Sequence, residues 1–310
     1  MPYLGECAAL ATALLWAFTS IFFAEAGKRI GSFQVNLIRL VMAVTIYSIT
    51  LILWDGRLFP AELNSTQVGW LAGSGLVGLL LGDGCGFKAL VMIGPRLTSL
   101  LYASAPIWTT VIAWVFLGEQ LTLVELVGIA LTVSGITWVV LERRSKQMAA
   151  NDVQRSHPDS GTLAKGVLLG IAAAMGQAVG LVLAKQGMFY AGGTVAPMSA
   201  SYIRMLVALG GITALTIVRG DFGRLASAWR DRKALGLCGG GAVVGPFLGV
   251  WMSLVAVKYI ATGVAATLNS MTPVMILPLV FLFYREKVTL RAALGAVIAV
   301  AGTTILFLSS

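Results

Sequence analysis

Ten runs of about twenty predominantly apolar residues follow one another along this chain of 310 residues. They are Ala8 to Ala24, Gln34 to Trp54, Val68 to Ile93, Leu97 to Leu117, Leu123 to Leu141, Gly166 to Gly187, Pro197 to Val218, Leu235 to Val257, Gly263 to Tyr284 and Leu290 to Leu308. A helix that crosses about 30 Å of hydrocarbon needs about 20 such residues. The pattern therefore predicts an all-α integral membrane protein with ten transmembrane helices, embedded in a lipid bilayer.

The composition excludes a soluble enzyme and a disordered chain. Hydrophobic residues make up 58% of the sequence and charged residues 11%, and the mean hydropathy is +0.88. Soluble domains have about 45–50% apolar and about 25% charged residues, and disordered chains have low hydrophobicity. Cys7, Cys85 and Cys238 lie in apolar runs without metal-ligand spacing, and the single histidine, His157, lies in a polar segment. The sequence therefore predicts neither a metal site nor a cofactor.

The two halves of the chain resemble each other in sequence. Adding 167 to each position from Ala89 to Leu141 gives Ala256 to Leu308, and thirteen of these 53 pairs are identical. The identical pairs include Pro106/Pro273, Glu119/Glu286, Thr122/Thr289, Gly128/Gly295 and Gly135/Gly302. Earlier in each half the match is weaker, with Ile38-Arg39 aligned to Ile203-Arg204. We interpret residues 1–141 and 166–310 as two five-helix repeats, joined by a polar cytoplasmic linker at residues 142–165.

An odd number of spans in each repeat determines how the two repeats sit in the membrane. The second repeat must enter the bilayer in the opposite orientation to the first. Inverted repeats are typical of secondary transporters, which bind substrate near the midplane where the repeats meet. The sequence therefore predicts two inverted five-helix repeats around a central cavity, lined by spans one, three, four, six, eight and nine.

The distribution of lysine and arginine predicts the orientation. Of the 22 basic residues, sixteen lie in loops after odd-numbered spans, three in loops after even-numbered spans and three inside spans. Because cytoplasmic loops carry the excess of these residues, we expect the odd loops in the cytoplasm and both termini outside it. The expected location is a plasma membrane such as the bacterial inner membrane. The net charge of +9 then reflects these short loops and not binding to nucleic acid.

A longer motif connects the chain to a known family. The run GDGCGFKALVMIGPRLTSLLYASAPIWTTVIAWVFLGEQLTLVELVGIALTVSGI has Ala-Leu near the end of span three, a proline within span four, Leu-Gly-Glu at its end and spaced glycines in span five. The second half repeats the motif more loosely with Pro273, Tyr284-Arg285-Glu286 and Gly295 to Gly302. Over nearly its whole length the chain resembles the EamA-type transporters of the drug/metabolite transporter superfamily. The resemblance implies a ten-span carrier, often an exporter of amino acids or other small metabolites.

We therefore predict a secondary transporter, and not an enzyme, that exports amino acids or similar small metabolites by alternating access. An uptake carrier or a translocator of lipid-linked sugars is the alternative among transporters, and an intramembrane enzyme is the alternative outside them. Smaller multidrug relatives use a carboxylate deep in the first span, whereas here Glu6 and Glu25 lie at its two ends. This difference disfavours proton-coupled export of lipophilic cations by that mechanism.

Two prolines at equivalent positions predict substrate contacts at mid-membrane. A proline within a helix frees the carbonyl four residues earlier, which belongs to Tyr102 for Pro106 and to Asn269 for Pro273. Unpaired backbone is tolerated at membrane depth only against protein or a water-filled cavity. Tyr102 and Asn269 are therefore predicted to contact substrate. The packing alternative is that neighbouring helices or hydroxyl groups such as that of Ser99 satisfy these carbonyls.

The carboxylate of Asp83 lies well inside span three. A charged side chain near the bilayer centre costs at least about 2.5–3.5 kcal/mol, and it therefore faces a partner or a cavity. Lys88 lies about 140° away around the helix, so Arg39 is the better candidate partner. Asp83 and Lys88 are candidate substrate contacts, and Asp83 is also a candidate carrier of a coupling proton. The alternative is a structural Asp83–Arg39 pair, with Lys88 extended to the interface.

Further candidate substrate contacts at mid-span are Trp16, Arg39, Trp108, Gln177, Arg204 and Trp251. The two arginines occupy equivalent positions in the repeats and favour zwitterionic or acidic substrates, with helix anchoring as the alternative. The indole and amide groups need hydrogen-bond partners at this depth, although ordinary packing also accounts for the tryptophans.

Glycines and glutamates near helix ends predict structural features. Three glycines spaced four apart in span three and three in span eight predict close helix packing; they are Gly78, Gly82, Gly86, Gly241, Gly245 and Gly249. Glu119 and Glu286 precede helix starts and are expected to fix helix termini. Thr122 and Glu125 have the spacing of a capping box.

Overall fold

The protein is all-helical in the part of the chain that the structure describes. The computed structural model describes residues 3–59, 63–151, 160–220, 222–284 and 289–309. Its helices are Leu4–Ile30, Ser32–Asp55, Ser65–Ser74, Asp83–Tyr102, Ala105–Leu117, Leu123–Asn151, Ser160–Phe189, Pro197–Arg219, Phe222–Arg230, Arg232–Ala242, Val250–Tyr259, Thr262–Asn269, Thr272–Tyr284 and Leu290–Ser309. Two π-helical segments, Gly75–Gly82 and Val243–Gly249, and a short 3₁₀ turn, Tyr190–Gly192, complete the set.

Ten membrane spans account for this architecture, as the sequence predicts. Nine helices among the described residues are long and apolar enough to cross a membrane: Leu4–Ile30, Ser32–Asp55, Ser65–Ala89, Leu97–Leu117, Leu123–Glu142, Gly161–Gly192, Pro197–Arg219, Arg232–Tyr259 and Leu290–Ser309. The predicted ninth span consists of Thr262–Asn269 and Thr272–Tyr284. The protein is therefore an all-α multi-pass membrane protein.

The predicted linker is only partly covered by the structure. Residues 152–159, which include His157, lie outside the described residues. The helix of span five continues to Asn151, and the next helix begins at Ser160. Two names are used below for the ends of the helical bundle. The even-loop face carries the N-terminus and the loops after spans two, four, six and eight; the odd-loop face carries the loops after the odd-numbered spans.

Spans five and ten, which are equivalent in the two repeats, pack against each other in opposite directions. A Cβ added to Gly128 would lie 3.2 Å from the Gly302 carbonyl oxygen, and one added to Gly135 would lie 2.6 Å from the Gly295 carbonyl oxygen. Residue numbers rise along one helix as they fall along the other, so the helices are antiparallel. Glycine is needed at these positions because the backbones approach too closely for a side chain.

Spans two and seven form a second antiparallel pair of equivalent helices. The Arg219 guanidinium lies 5.1 Å from the ring centre of Phe33, and the Ser48 hydroxyl donates to the Tyr202 hydroxyl at 3.5 Å. The low-numbered end of span two thus meets the high-numbered end of span seven. Equivalent spans that run in opposite directions are the mark of an inverted repeat.

The first helix of each repeat packs against the third helix of the other repeat. A Cβ added to Gly180 of span six would lie 2.8 Å from the Gly78 Cα in span three. One added to Gly249 of span eight would lie 3.3 Å from the Trp16 indole nitrogen in span one. The two repeats therefore interlock along spans one and six.

The two π-helical segments occupy equivalent positions in spans three and eight. Subtracting 167 from Val243–Gly249 gives residues 76–82, which lie within Gly75–Gly82. A π-helical turn closes hydrogen bonds five residues apart, and it changes the direction in which later side chains point. Asp83 and Val250 directly follow these segments. The sequence analysis did not anticipate them, although glycines interrupt both apolar runs and Pro246 lies in the second.

Spans four and nine are broken before their prolines and not kinked by them. Their first helices end at Tyr102 and Asn269, which places Pro106 and Pro273 in the first turn of the next helix. A proline costs nothing there, because its missing N–H would have no partner in the helix. The predicted free carbonyl of Asn269 is wrong, since the Thr272 hydroxyl donates to it at 3.3 Å. This is the packing alternative considered from the sequence.

Candidate functional site

A cavity of about 500 Å³ lies between the two repeats. Its lining residues are Thr12, Trp16, Arg39, Leu79, Asp83, Gly86, Phe87, Thr98, Ser99, Tyr102, Ala103, Ala105, Thr109, Ile136, Gln177, Ala178, Leu181, Arg204, Val250, Ser253, Ala266, Asn269, Ser270, Thr272 and Pro273. The six predicted spans supply most of this lining, and spans two, five and seven add Arg39, Ile136 and Arg204. The volume falls within the range of small-molecule sites, about 300–1,000 Å³.

Most of the lining residues occur in pairs that the sequence repeat relates. The two members of a pair differ in residue number by 165 in three pairs, which include Arg39 and Arg204, and by 167 in six pairs. The pairs are Thr12/Gln177, Trp16/Leu181, Arg39/Arg204, Asp83/Val250, Gly86/Ser253, Ser99/Ala266, Tyr102/Asn269, Ala103/Ser270 and Ala105/Thr272. Equivalent residues of the two inverted repeats therefore surround the cavity.

Asp83 is held by both of its carboxylate oxygens. An Arg39 Nη donates to one oxygen, and the Gln177 Nε2 donates to the other at 2.7 Å. Arg39 also donates through Nε to the Asn36 Oδ1 at 2.7 Å. The side chains of Arg39 and Asp83 are 5% and 15% exposed. The ion pair expected from the sequence is thus formed, at the edge of the cavity.

Arg204 has no such partner. It is 4% exposed, and its buried Nε has no hydrogen-bond partner. Among the residues that the structure describes, no carboxylate forms an ion pair with it. One of its Nη atoms lies 3.7 Å from where a Cβ on Gly78 would be, so it packs along the glycine-rich π-helical segment of span three.

Tyr102 and Asn269 both line the cavity, as their equivalent positions predict. The Asn269 Nδ2 donates to the Ser253 hydroxyl at 3.1 Å, whereas its buried Oδ1 has no hydrogen-bond partner. The Tyr102 ring lies against Gly86, where a Cβ would come within 2.9 Å of the ring carbon that bears the hydroxyl. Glycine at position 86 therefore makes room for Tyr102.

Three of the ten predicted contacts do not line the cavity. Lys88 is exposed, which agrees with the alternative of extension to the interface. The Trp108 indole donates to the Ser104 hydroxyl at 3.2 Å, and the Trp251 ring centre lies 6.3 Å from that of Phe247. The other seven are Trp16, Arg39, Asp83, Tyr102, Gln177, Arg204 and Asn269, and the structure brings them together.

The family model of the EamA-like transporter family matches residues 3–141 and 164–308, which is nearly the whole chain in two copies. The chain belongs to the EamA-like transporter family. It is therefore a membrane transporter of the drug/metabolite type. A solved structure titled only "Crystal structure of protein" has the same fold, with a TM-score of 0.74, 15% identity and coverage of 97% of this chain and 94% of that one. The comparison with curated proteins finds no match.

Sequence reasoning missed several polar residues of this EamA-like cavity. Thr12 lines it and donates to the Gly249 carbonyl at 3.3 Å. Ser253, Ser270 and Thr272 line it as well. The repeat itself contained the signal for Thr12, because subtracting 165 from the predicted Gln177 gives that position.

A cluster at the even-loop face of this EamA-like transporter joins the two repeats. The Glu119 carboxylate accepts hydrogen bonds from the Thr262 N–H and hydroxyl, both at 2.7 Å. It also forms an ion pair with Lys185 at 2.7 Å, and Lys185 donates to the Ile260 carbonyl at 2.8 Å. We call these four residues the Glu119 network. Glu119 thus fixes a helix terminus as predicted, but that terminus belongs to the other repeat; Glu286 lies outside the described residues.

At the odd-loop face, Asp231 caps a helix and binds an arginine. It accepts from the Ala234 N–H at 3.0 Å and from the Arg29 Nε at 2.9 Å. These hydrogen bonds, first to Ala234 and then to Arg29, lower the pKa of Asp231, because they favour the charged carboxylate. The pair connects the end of span one to the start of span eight.

Proposed function

We propose that the protein exports amino acids or similar small metabolites across the plasma membrane by alternating access. The observation that carries this proposal is that one cavity lies between two inverted repeats and that most of its lining residues occupy equivalent positions in the two repeats. A site between the two repeats stays in place while the repeats tilt about it. The tilting can then expose the site to each side of the membrane in turn. Family membership supports transport over intramembrane catalysis.

The lining supports a small zwitterionic substrate. Arg39, Asp83 and Arg204 bring both signs of charge to the cavity, and Asn269 adds an amide oxygen without a partner. Apolar lining residues such as Leu181 offer surface to a side chain. A few placed polar groups in a largely apolar pocket are typical of sites for small organic ligands.

The direction of transport rests on the predicted orientation. The Glu119 network joins spans four, six and nine at the even-loop face, and on this proposal a substrate enters this state from the odd-loop face. The excess of lysine and arginine favours the cytoplasm for that face. Entry from the cytoplasm into a cavity that then opens outward amounts to export.

Coupling to protons is the part of the proposal that concerns Asp83. Its two oxygens accept hydrogen bonds from Arg39 and Gln177 in this state, and the proposal is that these contacts rearrange when Asp83 carries a proton. Transport by the Asp83→Asn variant would lose its pH dependence. Transport that kept its full pH dependence would assign the coupling proton to another group.

The test is counterflow in proteoliposomes with an imposed pH gradient, using a mixture of radiolabelled amino acids. The Tyr102→Ala and Asn269→Ala variants should lose counterflow but retain expression, because each removes a cavity side chain. The matched control is Lys88→Ala, which removes an exposed side chain away from the cavity and should keep counterflow. Unchanged counterflow in both cavity variants would remove Tyr102 and Asn269 from the site, and chemical conversion of a labelled solute would favour an enzyme.

A further inference from the structure

We propose that Arg204 binds the carboxylate of the transported molecule, at the place where an aspartate stands in the other repeat. This inference rests on the proposed function, because it assigns a chemical class to the substrate of the same cavity. Arg39, by contrast, is assigned a structural role.

The comparison of equivalent positions in the two repeats leads to this assignment. Arg39 and Arg204 are 165 residues apart and both line the cavity. Arg39 is neutralised by Asp83. The position equivalent to Asp83 is occupied by Val250, whose side chain carries no charge. One repeat therefore supplies both members of an ion pair, and the other supplies only the cation.

Arg204 is buried deeply enough for the missing anion to matter. Arg204 is 4% exposed, and its Nε has no hydrogen-bond partner in the described structure. A buried charge without a partner is unstable, and it is normally paired. An anion that enters the cavity removes this penalty, and binding is favoured by that amount.

The neighbours of Arg204 do not supply that anion. Asp83 attracts Arg204 at longer range, but its oxygens are engaged by Arg39 and Gln177. The Tyr47 hydroxyl, also close enough to interact with Arg204, donates to the Phe247 carbonyl at 2.8 Å. Both neighbours are therefore committed elsewhere.

A carboxylate fits the chemistry of this position. The guanidinium presents parallel N–H groups whose spacing matches the two oxygens of a carboxylate. The charged residues of the described lining are two arginines and one aspartate, and because Arg39 and Asp83 pair with each other, Arg204 is the charge that one carboxylate group can pair with. The substrate class is therefore small carboxylates, which include amino acids and exclude simple amines.

The experiment installs the missing aspartate. In the Val250→Asp variant, the new carboxylate should pair with Arg204 and take the place of the ligand. The matched comparison is Val250→Asn, which has nearly the same shape without the charge. The probes are butyrate and butylammonium, which differ in charge and share an apolar chain, and the readout is thermal unfolding of the purified full-length protein in detergent.

Butyrate should raise the unfolding temperature of the unaltered protein, and butylammonium should not. Val250→Asn should bind butyrate at least tenfold more tightly than Val250→Asp does. Without ligand, Val250→Asp should unfold at a higher temperature than Val250→Asn. Arg204→Gln should lose the butyrate response. In proteoliposomes, amino acids should exchange, whereas the amines formed by removing their carboxyl groups should not.

Two results would overturn the assignment of Arg204. One is an equal butyrate response in Val250→Asp and Val250→Asn, and the other is counterflow of the amines as fast as that of the amino acids. The second result would leave the transport function intact. A butyrate response that depends on Arg204, together with no counterflow of any amino acid, would instead support the anion site and contradict the proposed export of amino acids.

Discussion

At the scale of single residues, the Arg39–Asp83 pair combines deep burial with full hydrogen bonding. Replacing Asp83 by asparagine would leave the Arg39 charge without its counter-ion, which typically costs about 3–5 kcal/mol. We expect the free energy of unfolding of Asp83→Asn, measured with denaturant in detergent, to fall by that amount. The control is Glu25→Gln, whose ion pair with Lys28 is 53% and 71% exposed and is worth about 0–1 kcal/mol.

A double variant separates the charge effect from a loss of shape. Replacing both partners, as in Arg39→Gln with Asp83→Asn, removes the uncompensated charge, and it should recover most of the lost stability. If the double variant were as unstable as Asp83→Asn alone, an unpaired cation would not be the cause.

The sequence predicted the depth of individual residues better than the direction of their side chains. Trp16 and Gln177 lie in regular helices, and they line the cavity as expected. Lys88 and Trp251 lie just after the π-helical segments and do not line it. A π-helical turn rotates the later side chains relative to an ideal α-helix, although Asp83, which directly follows the first segment, lines the cavity as predicted.

At the scale of helices, the contact between spans three and six depends on glycine at both sides. In Gly180→Ala, the new methyl group would lie 2.8 Å from the Gly78 Cα. The backbones must then move apart, at a typical cost of about 1–3 kcal/mol. Thermal unfolding in detergent should show this loss for Gly180→Ala.

The matched control is another glycine-to-alanine substitution in a helix with open space. A Cβ on Gly210 meets nothing within 4 Å. Alanine restricts the unfolded chain there, so Gly210→Ala should be neutral or more stable by about 0.5–1 kcal/mol. Equal destabilisation by both substitutions would contradict the role of close packing.

The Glu119 network should favour closure of the even-loop face. In Glu119→Gln, the ion pair with Lys185 and the charged acceptor for Thr262 are lost. Hydrogen bonds to charged groups are worth about 1.5–3 kcal/mol, so the population open at this face should rise at least about tenfold. The measurement is the rate at which an impermeant maleimide, added only to the even-loop side of the membrane, modifies cysteine in Ser253→Cys, in a chain without Cys7, Cys85 and Cys238.

A second glutamate, Glu125 in the first turn of the next helix, provides the control. Glu125 accepts hydrogen bonds from the Thr122 N–H and hydroxyl at 2.7 and 2.8 Å, within its own segment. Glu125→Gln should therefore leave the maleimide rate unchanged, and a similar rise in both variants would exclude a specific effect of Glu119. At the opposite face, the positions equivalent to Lys185 and Thr262 are Ser20 and Pro95. Serine has no charge and proline has no N–H, so these two positions cannot supply the contacts that Lys185 and Thr262 supply at the even-loop face.

At the scale of the whole molecule, ten spans place both termini on the even-loop face. The positive-inside rule predicts that this face lies outside the cytoplasm. A fluorescent reporter that matures only in the cytoplasm should stay dark when it is fused after Ser310. The same reporter inserted in the linker at residue 155 should be bright, and fluorescence from the C-terminal fusion would reverse the orientation.

The sequence predicted the overall fold more completely than the breaks within the helices of spans four and nine. The number of helices follows from the lengths of the apolar runs, and the inverted repeat follows from matched residues such as Pro106 and Pro273. Both signals can be read from the sequence alone. The break before each proline depends on whether the next helix restarts there, which tertiary packing decides. The partner of Glu119 lies 143 residues away in Thr262, and no local pattern encodes such a distance.

The difference between Asp83 and Val250 has a consequence for the proposed site, because it would set the orientation of a bound molecule. Two identical repeats would look the same from both sides, and an elongated molecule with unlike ends would have two reversed poses of equal energy. Val250 adds a difference in charge to the unlike lining pairs, because one guanidinium of the described lining is neutralised within the protein and the other is not. If the proposed binding of a carboxylate by Arg204 holds, a zwitterion would lie in the cavity in one orientation, with its carboxylate toward Arg204.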